Sequence, residues 1–349
     1  MASNTKIRVL QACNYLGIGG TEKTIQVFSK YLDRSRFEVF ACGLEGGGVR
    51  VPELEKLGVQ VIVKPPNLDA LIRELKIDVY HVYRAGDYEP GTLPRKRNGW
   101  PKVVETNVFD AIDHAENLLI DGHVFFSEWC RRDYLGKYCR FHGKRYEVLY
   151  GPIDFDEFRP VRRQFSWTIG RCSRADDQKW HRACVEMLPK VWKKVPQMRC
   201  RFRGATERIK TRLRELGLEG RVELSDPTVG VADFYAGLDV FTHGARVGEG
   251  YGVVIAEAMA SRLPVVTIAT PQRKKCNAQA EVVDHNVTGF VVRYSWQYAG
   301  AVIELLENHA LREKFGERGY EKAREQFEAS RLTRKLEALY TDMMDMGKA

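Results

Sequence analysis

Short apolar runs rich in β-branched residues alternate along the chain with longer segments in which apolar positions recur every three to four residues. The short runs predict strands: IRVLQA (7–12), FEVFACG (37–43), VQVIV (59–63), DVYHVYR (78–84), KVVET (102–106), GHVFFS (122–127) and YEVLY (146–150). The longer segments predict helices. TEKTIQVFSKYL is one, with Ile25, Phe28 and Leu32 on a single face. Strands alternating with helices point to a doubly wound parallel sheet.

The alternation breaks at LYGPIDFDEFRPVRRQ (149–164), where two prolines and several charges predict an interdomain linker. It then restarts with SWTIGRC (166–172), a long helix around CVEMLPKVWKKV, MRCRFRG (198–204), RVELSD (221–226), LDVFTHG (238–244), LPVVTIA (263–269) and GFVVR (289–293). The class is α/β, with two Rossmann-like domains at 1–158 and 159–325. The stretch from Leu305 to Met346 is almost all helical in pattern. Its last part, 326–349, is expected to pack back on the first domain.

Composition adds limits. A chain of 349 residues with 44% hydrophobic and 29% charged residues suits two globular domains that need no disulfide or metal to fold. The eight cysteines are scattered without a CxxC pair, which predicts free thiols in a reducing compartment. Cys130, Cys139 and His142 match no zinc spacing. No signal peptide and no apolar run of about 18 residues is visible, so the expectation is a cytoplasmic protein, compatible with peripheral contact at the inner membrane face. Through Phe158 there are 22 basic and 22 acidic residues; the remainder holds 33 and 24, the whole of the net +9. A basic second half fits an anionic ligand, and equally a solvated basic surface.

Three motifs carry candidate chemistry. Gly17-Ile18-Gly19-Gly20-Thr21-Glu22 lies between the first strand and the first helix, where glycines and a helix N-terminus let backbone approach a phosphate or sugar. Glu22 stands where a dinucleotide fingerprint needs a third glycine, and no clear acidic residue ends the second strand, so NAD is disfavoured. The strongest motif is Gly248-Glu249-Gly250-Tyr251-Gly252-Val253-Val254-Ile255-Ala256-Glu257. Glu249 is expected in a loop and Glu257 in the second turn of a helix beginning near Gly252. Free N–H groups between them can hold a diphosphate, and the second carboxylate can accept two ribose hydroxyls. Third, Gly170-Arg171 ends a strand and Lys179-Trp180 follows. Two cations there suit a leaving diphosphate, or surface pairing with Asp176 and Asp177.

EGYGVVIAEAMA resembles the Glu–seven residues–Glu signature of family-4 retaining glycosyltransferases of the GT-B fold, the glycosyl transferases group 1. GGTEK, the interdomain Tyr150-Gly151-Pro152-Ile153-Asp154, IGRCSRADDQKW, the glycine turn in FRGATE and NAQAEVVDHNVTGFVV resemble further family segments in order along nearly the whole chain. The resemblance implies two Rossmann-like domains facing a cleft, and transfer of a sugar from a UDP- or GDP-sugar to a sugar, lipid-linked or small-molecule acceptor. It implies Glu249 at the donor sugar, with Arg171 and Lys179 on the diphosphate, these three being the catalytic set. Gly19, Gly20, Gly204, Tyr251, Gly252, Val253 and Glu257 would bind the donor, Glu257 at the ribose. No metal or other cofactor is expected, in keeping with the lack of a DxD motif outside the linker's Asp154-Phe155-Asp156. Nucleic acid is not an expected partner.

The sequence departs from the family in places. Asn107 stands where a His is common, with Asp110 and His114 nearby; Gly151 replaces an Asn; and 270–277 (TPQRKKCN) replaces a Gly-Gly. Basic residues interleave with aromatics over 131–146, and PRKRNGW (94–100) is also basic, a composition that suits a lipid-linked acceptor or an anionic surface. A nucleotide-sugar epimerase and a non-catalytic nucleotide-sugar binder are the competing classes.

Overall fold

The computed structural model describes residues 6–137, 144–158, 164–226, 230–270 and 276–345. Cys139, His142, the cations and aromatics of 138–143, and Pro271 to Lys275 lie outside the described residues. The chain divides into two compact units, residues 1–152 with 329–349, and residues 153–328.

The first unit is built on seven strands: β1 (Ile7–Tyr15), β2 (Phe37–Gly46), β3 (Gln60–Val63), β4 (Val79–Arg84), β5 (Lys102–Asn107), β6 (Gly122–Phe125) and β7 (Arg145–Val148). All pair in parallel, in the order β3-β2-β1-β4-β5-β6-β7. Every residue of β4 is buried, as expected of a strand covered on both faces. The terminal helix Ala329–Asp345 belongs to this unit. It buries Leu332, Leu336, Leu339, Tyr340 and Met343 at helical spacing. Its Tyr340 Oη lies 2.6 Å from His81 Nδ1 on β4, and its Glu337 Oε1 accepts from the Asp33 N–H at 2.8 Å.

The second unit contains β8 (Thr168–Cys172), β9 (Arg199–Arg203), β10 (Val222–Ser225), β11 (Val240–His243), β12 (Gly248–Glu249), β13 (Val265–Ile268), β14 (Cys276–Asn277) and β15 (Gly289–Val292). Six of them form a parallel sheet in the order β10-β9-β8-β11-β13-β15, and β12 pairs with β14. Its core gathers Ile169, Trp180, Val191, Phe202, Val240, Val266 and Phe315.

Three expectations change. The long helix around CVEMLPKVWKKV is two short ones, Ala183–Glu186 and Leu188–Lys194, because Pro189 has no N–H to continue the ladder and opens the second. The division falls after Pro152 rather than Phe158. Ile153 donates its N–H to Phe327 O at 2.7 Å and the Phe158 ring sits 5.9 Å from Tyr235, so 153–158 packs as part of the second unit rather than spanning as a linker. The return to the first unit begins at Ala329, not 326.

Candidate active site

In an open parallel sheet, ligands gather beyond the strand C-termini where the strand order reverses direction. In the second unit that point lies between β8 and β11. Arg171 lies near the end of β8, His243 ends β11, and Glu249 follows six residues later.

Glu249 is held in β12, whose pairing with β14 fixes it more firmly than the expected loop. Gly248 before it has φ +84°, and an added Cβ there would lie 1.8 Å from Cys276 O, so only glycine turns the chain into this pair. Lys179 Nζ donates to Glu249 Oε2 at 2.8 Å. His243 Nε2 lies 3.5 Å from the other oxygen, Oε1. Burial alone would raise the Glu249 carboxyl; the Lys179 ammonium, with His243, outweighs it and holds the carboxyl well below the usual carboxylate range. A permanently ionised, doubly flanked carboxylate is a hydrogen-bond acceptor, not an acid. Lys179 therefore does not pair with Asp176 or Asp177; those acids meet Arg174 and Arg208 instead.

Three residues further on, Gly252 has φ 84° and caps the helix Val253–Ala260. The first N–H groups of that helix have no partner within it, and they carry the positive end of its dipole. Glu257 sits in the second turn, buried, and accepts a hydrogen bond from Tyr235 Oη at 2.9 Å. Tyr235 thus orients one carboxylate oxygen. Gly204 turns the chain at the end of β9 with φ +76°, its carbonyl accepting from Trp180 Nε1 at 3.1 Å.

Two of the expected site residues make contacts within the protein. Arg171 is 0% exposed. Its guanidinium donates to Cys172 O, to Lys179 O at 2.6 Å and to Gly244 O at 3.4 Å, and lies over the Trp180 ring. These bonds tie together the segments that carry Lys179 and Glu249, while Arg171 Nε has no hydrogen-bond partner among the described residues. Tyr251 is also buried, its ring 5.3 Å from that of Phe327.

In the first unit, Gly19 caps the helix Gly20–Tyr31, and Glu22 folds back over it: a Cβ at Gly19 would lie 2.2 Å from Glu22 Oε2. Asn107 ends β5 fully buried, with Nδ2 donating to Ala111 O at 2.8 Å and facing Glu105 Oε2 at 3.3 Å. Beneath it, Arg84 pairs with Glu105 at 2.6 Å and Asp113 at 2.9 Å, and His123 Nδ1 lies 2.7 Å from Glu105. His114 is in an exposed turn. Of the basic residues over 131–146, Arg131 pairs with Glu128, Lys137 with Asp110 and Asp133, and Lys144 with Asn117. No helix among the described residues is long and apolar enough to cross a membrane.

Sequence reasoning missed His243, Tyr235 and the Arg84 network. His243 had a signal: a polar residue closing an otherwise apolar strand at the order reversal. Tyr235 had none, being one apolar-face aromatic among many.

Residues 154–322 match the family described as Glycosyl transferases group 1. No curated protein matches the chain. A glycosyltransferase from Rickettsia africae is similar at TM-score 0.76 and 17% identity, over 97% of this chain and 99% of that one. Anabaena HepE, solved with UDP and glucose, is similar at 0.74 and 16%, over 96% and 100%. Sucrose-phosphate synthase from Thermosynechococcus elongatus is similar at 0.72 and 14%, over 97% and 100%. The fold is GT-B, and the match to the group 1 glycosyltransferases covers residues 154–322, just under half of the chain.

Proposed function

We propose that this protein is a group 1 glycosyltransferase that transfers a sugar from a nucleotide diphosphate to a carbohydrate acceptor with retention of anomeric configuration and without a divalent metal. The observation that carries the reading is the Lys179–Glu249 pair at 2.8 Å, eight residues before the Tyr235-held Glu257. An ionised Glu249 accepts hydroxyls of the donor sugar. Lys179, beside it, meets the charge that grows on the leaving diphosphate, helped by the N–H groups of Val253 and Val254 at the helix start. Glu257 accepts the ribose hydroxyls. Arg171 acts through the main chain it holds. Cationic and dipolar groups then do what a metal does in other transferases, and attack from the face the diphosphate leaves gives retention.

The complex of Anabaena HepE with UDP and glucose makes a UDP-sugar the first donor to try. The pairing of Arg131, Lys137 and Lys144 with groups of their own unit gives the lipid-linked acceptor and the membrane contact no added support.

The test is calorimetry of UDP, GDP, ADP and their sugar conjugates with EDTA present, followed by NMR of the product's anomeric proton. One nucleotide should bind selectively, and turnover should persist in EDTA with the donor's configuration kept. Inverted product, or turnover that EDTA abolishes and Mg²⁺ restores, overturns the corresponding part of the reading. Intact donor binding without any transfer would favour the non-catalytic class, and a donor isomerised without acceptor would favour the epimerase.

A further inference from the structure

His243 closes β11 in a position where nothing but burial surrounds most of the ring: it is 0% exposed. Burial pushes the imidazole down to about 4, so it is neutral, with one nitrogen protonated and the other an acceptor. Nδ1 lies 2.9 Å from Thr267 Oγ1, on the partner residue of the neighbouring strand β13. The backbone is pinned as well, since the His243 carbonyl accepts from Tyr298 Oη at 2.8 Å. Among the described residues Nε2 has no hydrogen-bond partner, and Glu249 Oε1 is 3.5 Å away. The charged groups around the ring are Glu249, Arg171 and Lys179.

Two tautomers are available, and the surroundings separate them. A proton on Nδ1 would aim the Nε2 lone pair at an ionised carboxylate, which is repulsive. A proton on Nε2 aims a donor at that carboxylate and leaves Nδ1 to accept from the Thr267 hydroxyl, which satisfies both nitrogens. A buried donor without a partner is costly, so an N–H at this distance is driven toward the carboxylate oxygen.

We propose that His243 is a positioning residue for sugar transfer, its Nε2–H facing Glu249 Oε1 while Thr267 selects that tautomer. This rests on the reading that Glu249 meets the donor sugar. Lys179 holds one carboxylate oxygen and His243 the other, so the carboxylate plane is fixed and its remaining lone pairs point to set places. No proton moves; His243 acts by geometry. Its loss should therefore be felt in turnover and in choice of donor sugar, not in affinity for the nucleotide.

The experiment compares His243→Asn, whose amide matches Nδ1 but stops short of Glu249, with His243→Gln, whose amide nitrogen reaches the Nε2 position. His243→Asn should lower kcat by about 10- to 100-fold, the scale of a displaced catalytic group, with Kd for the free nucleotide unchanged. His243→Gln should stay within about 3-fold of wild type. Equal losses in both variants, or in neither, overturn the proposal. Should His243→Asn fail to fold, ¹⁵N NMR of the wild-type imidazole and kinetics of Thr267→Val decide it. Protonated Nε2 in the wild type and a several-fold kcat loss on removing the Thr267 hydroxyl are expected; protonated Nδ1, or unchanged kcat, overturns it. Glu249→Gln is assayed separately. If it turns over like wild type, the role of Glu249 itself has failed, whatever the His243 pair shows.

Discussion

The main sheets of both units run their first six strands in the same order, the third outermost and the first beside the fourth, yet they place opposite kinds of polar chemistry at the strand ends. In the first unit, Arg84, Glu105, Asp113 and His123 are all fully buried and largely answer one another. In the second, Lys179 and Glu249 keep side-chain exposures of 17% and 10%, and His243 Nε2, without a hydrogen-bond partner among the described residues, lies 3.5 Å from Glu249 Oε1. One network is closed and the other has places left to fill. Topology alone therefore says where a site can be, not which sheet edge carries transferable chemistry; that depends on how many hydrogen-bonding positions the protein leaves unspent.

The contrast can be broken by removing one acid from each network. Glu105→Ala should cost about 3–5 kcal/mol of stability, because it removes the carboxylate shared by buried Arg84 and His123 and leaves the guanidinium only Asp113 as an acidic partner. Urea unfolding followed by fluorescence checks this, and a loss under about 1 kcal/mol would mean that Arg84 is not held as a closed ion pair. Glu257→Ala should cost less stability, since Tyr235 Oη keeps Val254 O at 3.1 Å as an acceptor, and should weaken nucleotide binding by roughly 1–3 kcal/mol, read by calorimetry. Unchanged affinity removes Glu257 from the ribose. The smallest effect is acid sensitivity. Burial lowers His81 to about 3 and His243 to about 4, against an ordinary value of 6.5. The unfolded chain then binds protons that the folded one refuses. The contribution of each is complete above about pH 6.5 and is lost as pH falls toward the folded value, with a slope of up to about 1.4 kcal/mol per pH unit. His81→Gln should flatten the fall of Tm between pH 6.5 and 4; an unchanged slope would mean that His81 is protonated in the fold.

Much of this was legible beforehand because its signals are local. Parallel strands covered on both faces are apolar throughout, so their runs stand out. Gly248, Glu249, Gly252 and Glu257 sit within one strand–turn–helix, so spacing alone brings them together. What could not be read is whatever a second element decides. Arg171 is the expected residue type at the expected strand end, and only the fold brings the carbonyls of Lys179 and Gly244 within reach of its guanidinium. Tyr251 sits inside the motif, and its ring packs 5.3 Å from that of Phe327, dozens of residues on. The unit boundary was misplaced for the same reason: prolines and charges at 149–164 look like a linker, and the pairing of Ile153 with Phe327 is a long-range contact.

The placement of the helix Ala329–Asp345 has a consequence for biosynthesis. The second unit is one continuous stretch and can complete its sheet as soon as its last strand has left the ribosome. The first unit is made of two pieces, and the face of its sheet that holds His81 waits for Tyr340, which is synthesised after the whole of the second unit. The half of the molecule that begins first therefore finishes last, and in the interval it is the first unit whose apolar surface a chaperone would meet.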